Sequence, residues 1–168
     1  CQGALAGIAQ LTAQARDGGG QLGRWRQQTA GQAQAFAEAA QVRGLELLSL
    51  IRHDVPSALR GDPGRLRQVL TNLVGNAVKF TEKGEVVLRV TLGESTEDAA
   101  VVRFEVRDTG IGIDPELRSR LFQSFVQADG SASRLYGGTG LGLAISKRLV
   151  SLMGGTIAAT SHVAKATT

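Results

Sequence analysis

The sequence predicts an α/β domain, and three observations support this fold class. The chain has 168 residues with 42% hydrophobic content, which suits one hydrophobic core better than two separate domains. A strongly amphipathic helix is expected after Asp62. After Gly84, two segments alternate between apolar and polar residues as the strands of a hairpin do. We therefore expect helices and antiparallel strands around one core.

The composition excludes several classes of protein. The single cysteine, Cys1, excludes an internal disulfide framework and a thiolate zinc cluster, and it fits a reducing compartment. No apolar run approaches the ~18 residues of a membrane span and no signal peptide is visible, so we expect a soluble, cytoplasmic piece. The net charge of +4 comes from scattered arginines with few aromatic residues, so nucleic acid is not an expected partner.

The first residues carry apolar side chains at helical spacing. Leu5, Ile8, Leu11 and Ala15 predict a helix that ends at Asp17 and the glycines after it. Its apolar stripe is too narrow to bury the helix alone. We therefore assign residues 1–20 to the remnant of a helical dimerisation stalk and residues 21–168 to the domain, with a poorly ordered leader as the alternative for the first segment.

Three elements are predicted before the amphipathic helix. A short strand is expected at Leu22–Trp25, a helix at Gln27–Val42 that stops at Gly44, and a strand at Leu45–Ile51. His53 follows in a polar connection. A lone histidine in such a place is interpreted as a surface residue.

The helix after Asp62 is the best specified element of the chain. Asp62 is an N-cap acceptor and Pro63 takes the first helical position, while Gly84 is the predicted stop. The residues of its core stripe follow at spacings of three and four: Leu66, Val69, Leu70, Leu73, Val74 and Ala77.

The opposite face of this helix is polar in an unusual way. It carries Gln68, Asn72, Asn76 and Lys79, although an asparagine inside a helix costs roughly 0.7 kcal/mol relative to alanine. Stability alone would not select these residues. A functional face and an ordinary solvated face are both compatible with the pattern.

The predicted hairpin ends in a buried acid. Val86–Leu92 and Ala100–Val106 alternate, and the same parity places Asp108 on the buried face at the end of the second strand. A buried carboxylate requires a hydrogen-bond donor. The donor is either a ligand or the backbone of the turn that follows Asp108.

The last third of the chain predicts a lid followed by a glycine-rich helix start. A helical turn at Pro115–Arg120 precedes the apolar residues Leu121, Phe122, Phe125 and Val126, and residues 127–136 have the composition of a mobile loop. The glycine-rich run 137–143 then opens a helix that ends at Gly154 and Gly155. The side chains expected to point inward from this helix are Leu141, Ile145, Leu149 and Leu152. Free N–H groups at such a helix start are suited to a triphosphate.

These motifs occur in the order of a known family. The helix segment with Asn72, Asn76 and Lys79 resembles the N box, and the residues from Asp108 to Ile113 resemble the G1 box. Phe122 and Phe125 resemble the F box, and the glycine-rich run resembles the G2 box. From about Leu45 to Ser161 the chain resembles the catalytic ATP-binding domain of sensor histidine kinases, most closely those of the hybrid type.

The resemblance implies a fold, a ligand and a set of site residues. The fold is an α/β two-layer sandwich in which a mixed, mostly antiparallel sheet is covered on one face by about three helices. The implied ligands are ATP and Mg²⁺; Asn76 and Asn72 are the implied metal ligands, and Asn76, Lys79 and Arg134 are implied in catalysis. The implied nucleotide-binding residues are Asn72, Asn76, Lys79, Phe80, Asp108, Gly110, Gly112, Ile113, Phe125, Arg134, Gly138, Thr139, Gly140, Leu141, Gly142 and Leu143.

The sequence departs from the family in three places. The phosphoacceptor segment is absent, and neither His53 nor His162 has its neighbours. Residues 164–166 read Ala-Lys-Ala where the family has two glycines flanking one residue, and alanine tolerates a positive φ poorly. The sequence also stops before the apolar strand that follows in the family, so we expect the sheet to lack a strand.

The resemblance implies a kinase domain that donates the γ-phosphoryl group of ATP to a histidine on a separate stalk in two-component signalling. The implied partners are that stalk and a response regulator or receiver domain. The implied place is the cytoplasm, either in a free protein or in the cytoplasmic part of a membrane-bound sensor. Two alternatives stay open: a non-catalytic ATP-binding or docking module, and an ATPase of the gyrase and heat-shock type. The ATPases carry a glutamate base where this chain has Asn72.

Overall fold

A computed structural model describes residues 4–13, 24–57, 59, 61–97, 99–118, 120–123 and 140–162. In chain order the elements are β1 (Ala4–Ala13), α1 (Arg24–Val42), β2 (Leu45–Ile51), α2 (Pro63–Phe80), β3 (Gly84–Ser95), β4 (Ala100–Asp108), α3 (Pro115–Arg118), α4 (Gly142–Leu152) and β5 (Thr156–His162). The strands form one five-stranded sheet in the order β2-β3-β4-β1-β5. The β2–β3 pair is parallel and the other pairs are antiparallel.

The hydrophobic core lies between the sheet and the helices. The core stripe predicted for α2 is buried throughout, and Val78 adds to it. Val86, Leu88 and Val90 of β3 are also buried and face the helices. Trp25 joins α1 to the sheet, because its ring meets that of Phe104 edge-on with 6.3 Å between the centroids. The predicted two-layer α/β sandwich with a mixed, mostly antiparallel sheet is confirmed.

The start of α2 is built as the sequence predicts. Asp62 has extended backbone angles, and its side chain accepts a hydrogen bond from the backbone N–H of Arg65 at 3.0 Å. The carboxylate also forms an ion pair with the Arg65 guanidinium. One carboxylate therefore satisfies an otherwise unpaired N–H of the first turn and offsets the positive end of the helix dipole.

The predicted helix near the N-terminus is wrong. Ala4–Ala13 is a strand, and it pairs with β4 on one side and with β5 on the other. The run from Ala4 to Ala9 is continuously small or apolar, a pattern shared by a buried helix and by a central strand, so spacing alone could not decide between them. The assignment of residues 1–20 to a stalk rested on that helix and loses its support. The expected truncation of the domain at its last strand stays a prediction.

Three smaller predictions are corrected. Arg24 and Trp25 begin α1, where a short strand was expected. The helix α2 ends at Phe80, and Gly84 is the first residue of β3 instead of the helix stop. Position 84 requires glycine because its φ is 110° and because a Cβ there would collide with the Thr109 hydroxyl. In α4, Ile145 and Leu152 are exposed, and Ser146 and Val150 are the buried residues. This helix is apolar on several sides, so its contacts with α2 and β5 select the buried face.

The placement of β1 can be tested at Ile8, which lies opposite Glu105 and Ala158 in the sheet. Ile8→Pro removes a ladder hydrogen bond from an interior strand and should lower the free energy of unfolding by about 3 kcal/mol. Ile8→Val keeps the N–H group and should therefore cost much less than the proline variant. Urea unfolding of both variants measures the difference. Equal stability of the proline variant and the unchanged chain would show that β1 is not part of the sheet.

Candidate functional site

The polar face of α2 is joined to the start of α4 by one side chain. The Asn72 amide nitrogen donates to the Gly142 carbonyl oxygen at 3.0 Å and to the Ser146 hydroxyl at 3.1 Å. A carbonyl oxygen only accepts hydrogen bonds, so the amide group must point its nitrogen toward α4. The amide nitrogen is thus engaged with α4, and Oδ1 is the atom of Asn72 that is placed to accept a hydrogen bond or to bind a cation.

Ser146 completes this junction. Its side chain is fully buried, and its hydroxyl also bonds to the Gly142 carbonyl oxygen at 2.9 Å. Sequence reasoning missed Ser146, since it looks like an ordinary helix residue among apolar ones. The available signal was its place four residues after Gly142 and four before Val150, on the face where α4 is buried.

Two further predicted residues continue the polar face of α2 toward its C-terminal end. Asn76 is half-buried and lies one turn after Asn72. Lys79 is half-buried, and its ammonium group sits 5.0 Å from the centre of the Phe80 ring. The Arg43 guanidinium donates to the Lys79 carbonyl oxygen at 3.2 Å. The amides and the lysine therefore form one polar strip along a rigid helix.

Asp108 is buried at the end of β4, as its parity predicts, with only 2% of the residue exposed. Its Oδ1 accepts a hydrogen bond from the backbone N–H of Gly110 at 2.8 Å. This is the local turn considered as one alternative for the buried acid. A carboxylate offers about four lone-pair sites, so one turn hydrogen bond does not exhaust its capacity to accept others.

The loop after β4 packs tightly against the end of α2. The N–H of Ile111 donates to the Phe80 carbonyl oxygen at 3.3 Å. A Cβ on Gly110 would lie 2.5 Å from that same oxygen and 2.8 Å from Asp108 Oδ1, so this position requires glycine. Gly112 has a positive φ of 76°, which favours glycine as well. These contacts place the loop against the polar strip of α2.

Two hydroxyl groups fix the ends of this loop, and sequence reasoning did not single out either of them. The Thr109 hydroxyl accepts from the N–H of Glu85 at 3.0 Å and donates to the Lys83 carbonyl oxygen at 3.2 Å. The Ser161 hydroxyl accepts from the N–H of Ile113 at 2.7 Å. The loop is therefore tied to β3 at one end and to β5 at the other.

The start of α4 is suited to an anion. Leu141 is the N-cap residue and makes no side-chain capping hydrogen bond, and Gly140 before it has φ of 67°. The first N–H groups of this helix therefore lack a side-chain acceptor at the cap. Leu143 is half-buried against the core. The predicted residues Gly140, Leu141, Gly142 and Leu143 thus lie at a helix N-terminus.

Several predicted site residues lie outside the described residues: Phe125, Arg134, Gly138 and Thr139, together with the lid at 127–136 and the Ala-Lys-Ala turn at 164–166. Among the described residues, no group of three or more histidine, cysteine, aspartate or glutamate side chains lies close enough to hold a metal ion. In the described ranges, no helix is both long enough and apolar enough to cross a membrane.

Comparison with known proteins gives a consistent result. The sequence model of the family described as histidine kinase-, DNA gyrase B- and HSP90-like ATPase matches residues 61–168. The sensor protein GacS of Pseudomonas syringae pv. syringae is 57% identical over 122 residues, which are 73% of this chain and 14% of GacS. RpfC of Xanthomonas campestris pv. campestris is 57% identical over 119 residues, 70% of this chain and 16% of RpfC. BarA of Escherichia coli K12 is 50% identical over 122 residues, 73% of this chain and 13% of BarA. The chain thus spans about a seventh of the length of these relatives.

Solved structures with a similar fold were also found. Full-length ShkA, solved in complex with AMPPNP, is 37% identical with a TM-score of 0.63, and the match covers 80% of this chain and 28% of ShkA. The catalytic domain of histidine kinase ThkA is 19% identical with a TM-score of 0.57, and the match covers 92% of this chain and 95% of that domain. At that identity the second likeness supports the fold alone.

The junction between α2 and α4 makes a stability prediction. Ser146→Ala should lower the free energy of unfolding by about 1 kcal/mol, because the half-buried Asn72 amide loses one acceptor. A double-mutant cycle with Asn72→Ala should show a coupling energy of at least about 0.5 kcal/mol. Chemical denaturation of the single and double variants measures both quantities.

The matched control is Ser151→Ala on the same helix. The Ser151 hydroxyl also bonds to a backbone carbonyl four residues earlier, that of Lys147 at 3.0 Å, but it is exposed. Its removal should change stability by less than about 0.5 kcal/mol. Equal losses for the two serine variants, or additive effects in the cycle, would contradict the assigned role of Ser146.

Proposed function

Because the chain belongs to the histidine kinase-, DNA gyrase B- and HSP90-like ATPase family, we propose that it binds ATP with Mg²⁺ and donates the γ-phosphoryl group to a histidine on a separate helical stalk. The resemblance found in the sequence is confirmed by the family match and by the relatives, which are named as sensor kinases. AMPPNP, an analogue of ATP, is bound in the similar ShkA structure. These findings support ATP binding, and the phosphoryl transfer is our proposal.

The observation that carries the proposal is that one face of α2 contacts both other parts of the site. Near the middle of the helix, Asn72 contacts the start of α4. At its C-terminal end, Phe80 contacts the loop that follows Asp108. A ligand along this face would meet a buried carboxylate at one end and, at the other, the N-terminus of a helix whose cap residue makes no side-chain hydrogen bond. That combination matches a base with an amino group at one end of the ligand and phosphates at the other.

At the base end, we assign the adenine contact to Asp108. Its buried carboxylate accepts hydrogen bonds from N–H donors such as the adenine amino group. Gly110 and Gly112 allow backbone to approach closely, and Ile113 is half-buried beside them. Phe80 and Phe125 complete the proposed nucleotide contacts, with Phe125 assigned from the sequence alone.

At the phosphate end, the chain's own groups fit a magnesium–triphosphate complex. Mg²⁺ in phosphate sites uses one or two protein oxygen ligands together with phosphate oxygens and water. Asn76 offers a half-buried amide oxygen, and Oδ1 of Asn72 is the second candidate. A site of this kind needs no carboxylate cluster. When bound, the ion would neutralise charge on the phosphates.

The cationic and backbone groups complete that end of the site. We assign phosphate contacts to Lys79, to Arg134 in the lid, and to the backbone of the glycine-rich run. The members of that run are Gly138, Thr139, Gly140, Leu141, Gly142 and Leu143. Such groups catalyse phosphoryl transfer mainly by positioning and by stabilising negative charge.

The chemistry of Asn72 favours transfer over hydrolysis. Its amide nitrogen donates to Gly142 and Ser146, and an amide cannot take a proton from water at neutral pH. The proposed acceptor is therefore an imidazole nitrogen: it bonds to the γ-phosphorus as the bond to the β-phosphate oxygen breaks, and ADP leaves. A response regulator or receiver domain would then take the phosphoryl group. This chemistry fits a cytoplasmic location.

The transfer can be tested with γ-labelled ATP and a separate helical hairpin that carries the acceptor histidine of a related kinase. We expect acid-labile label on the hairpin and none on the chain alone. Transfer should be slow, because two separate chains lack the effective concentration, often on the order of millimolar, that a covalent link provides. Asp108→Asn should remove most of the label by weakening nucleotide binding.

The matched control is Asp114→Asn, which makes the same chemical change outside the assigned contacts. Asp114 Oδ1 accepts from the N–H of Glu116 at 2.7 Å, a bond that asparagine can also make. This variant should transfer label at the unchanged rate. Label on His53 or His162 of the isolated chain, or equal losses in the two variants, would refute the proposal.

A further inference from the structure

We propose that two copies of this chain associate by pairing their β2 strands edge to edge, antiparallel, about a two-fold axis through Ser49. This edge lies away from the proposed nucleotide site, and its pairing does not depend on nucleotide binding. The pairing is supported by the edge of the sheet, by two exposed leucines, and by the distribution of charge along β2 and β3.

The outer edge of β2 has backbone groups available for a further strand. β2 is the first strand of the sheet, and among the described residues no strand pairs with its outer side. The N–H of Arg52, just after β2, points inward and donates to Val90 at 3.0 Å. By alternation along the strand, the backbone groups of Leu47, Ser49 and Ile51 point outward. Such an edge is a template for another strand.

The open face of this edge is apolar at its centre. Leu48 and Leu50 lie on the face opposite the helices, and their exposed fractions are 42% and 48%. Beside them a shallow groove on the same face is lined by Val87 and by charged residues of β3 and β4: Glu85, Arg89, Glu105 and Arg107. β2 itself carries only one charged residue, Glu46. Exposed apolar edge strands with little charge favour association.

Along β2 and β3 the charges have one sign at each end, whereas β4 adds Arg107 opposite Val87 and Glu105 opposite Arg89. Glu46 and Glu85 are opposite one another in the β2–β3 register, and neither forms an ion pair with another described residue. At the other end are Arg52 and Arg89, whose partners within the chain are Asp54 at 3.0 Å and Glu105 at 4.0 Å. The hydrogen bond from Arg52 lowers the pKa of Asp54. One end of the β2–β3 pair therefore carries two acids without an ion pair among the described residues, and at the other end two arginines each form an ion pair with one acid.

A two-fold axis brings these ends together. A two-fold axis perpendicular to the sheet makes the two strands antiparallel and keeps their open faces on one side, so with the axis at Ser49, residue 46 of one copy lies opposite residue 52 of the other. Glu46 then meets Arg52, and Leu48 meets Leu50, each pair occurring twice on the open face. The outward backbone groups can also form hydrogen bonds across the axis. Leu47 of one copy pairs with Ile51 of the other, and Ser49 pairs with Ser49 of the other copy. An axis at Leu48 would instead place Glu46 opposite Leu50, so the charges select the axis at Ser49.

The association can be measured by sedimentation and light scattering of the full chain over a range of concentrations. We expect a concentration-dependent dimer. Glu46→Arg places like charges opposite one another twice and should weaken the dimer roughly tenfold. The double variant Glu46→Arg with Arg52→Glu restores opposite charges and should recover most of the affinity. Glu94→Arg makes the same charge change at the exposed end of β3 and should have no effect.

A disulfide tests the position of the axis. In a hydrogen-bonded antiparallel pair the two Cα atoms are about 5.5 Å apart, within the range of disulfides. Ser49→Cys in a Cys1→Ser background should therefore form a covalent dimer on mild oxidation, and the exposed Ser95→Cys should not. A chain that sediments as a monomer up to its solubility limit would overturn the proposal. So would equal cross-linking at the two positions, or a dimer that Glu46→Arg leaves unchanged.

Discussion

The hydrogen bonds of the Asn72 amide are the interaction on which the candidate site depends. They join residues about 70 positions apart, and they hold the middle of α2 against the first turn of α4. Because the amide nitrogen donates to a carbonyl oxygen, the side chain has one orientation, and α4 begins where the polar strip of α2 can reach it. An asparagine inside a helix is unfavourable by propensity. Its contact with Gly142 and Ser146 gives a structural reason for that cost.

A second constraint acts at the other end of α2. The backbone of the loop after β4 touches the Phe80 carbonyl oxygen so closely that Gly110 has no room for a Cβ. Asp108 turns the chain into this contact, and Thr109 and Ser161 fix the two ends of the loop. The same helix thus sets the positions of both the buried carboxylate and the α4 N-terminus. Groups that the fold already holds in place lose less conformational entropy when a ligand binds them.

The sequence was informative where a pattern is local and was not where a partner is distant. The helix α2 and the β3–β4 hairpin were predicted because their apolar residues repeat with a clear period, and Asp108 followed from parity. β1 was not predicted as a strand, because a short run of small apolar residues suits both a helix and a central strand. Its partner strands lie about 100 and 150 residues further along the chain. Ser146 was missed for the same reason, since only its contact with Asn72 distinguishes it. The buried face of α4 is set by its neighbours, so Ile145 and Leu152 were predicted on the wrong side.

The central claim is that one face of α2 binds both ends of ATP, and calorimetric titration tests it most directly. ATP and adenosine should be titrated with and without Mg²⁺ into the unchanged chain, Asp108→Asn and Asn76→Ala. We expect Asp108→Asn to weaken both ligands by about 1 to 3 kcal/mol, because it alters the base contact. Asn76→Ala should remove most of the effect of Mg²⁺ on ATP while leaving adenosine nearly unchanged. Equal losses of ATP and adenosine in Asn76→Ala, or unchanged adenosine affinity in Asp108→Asn, would contradict the account.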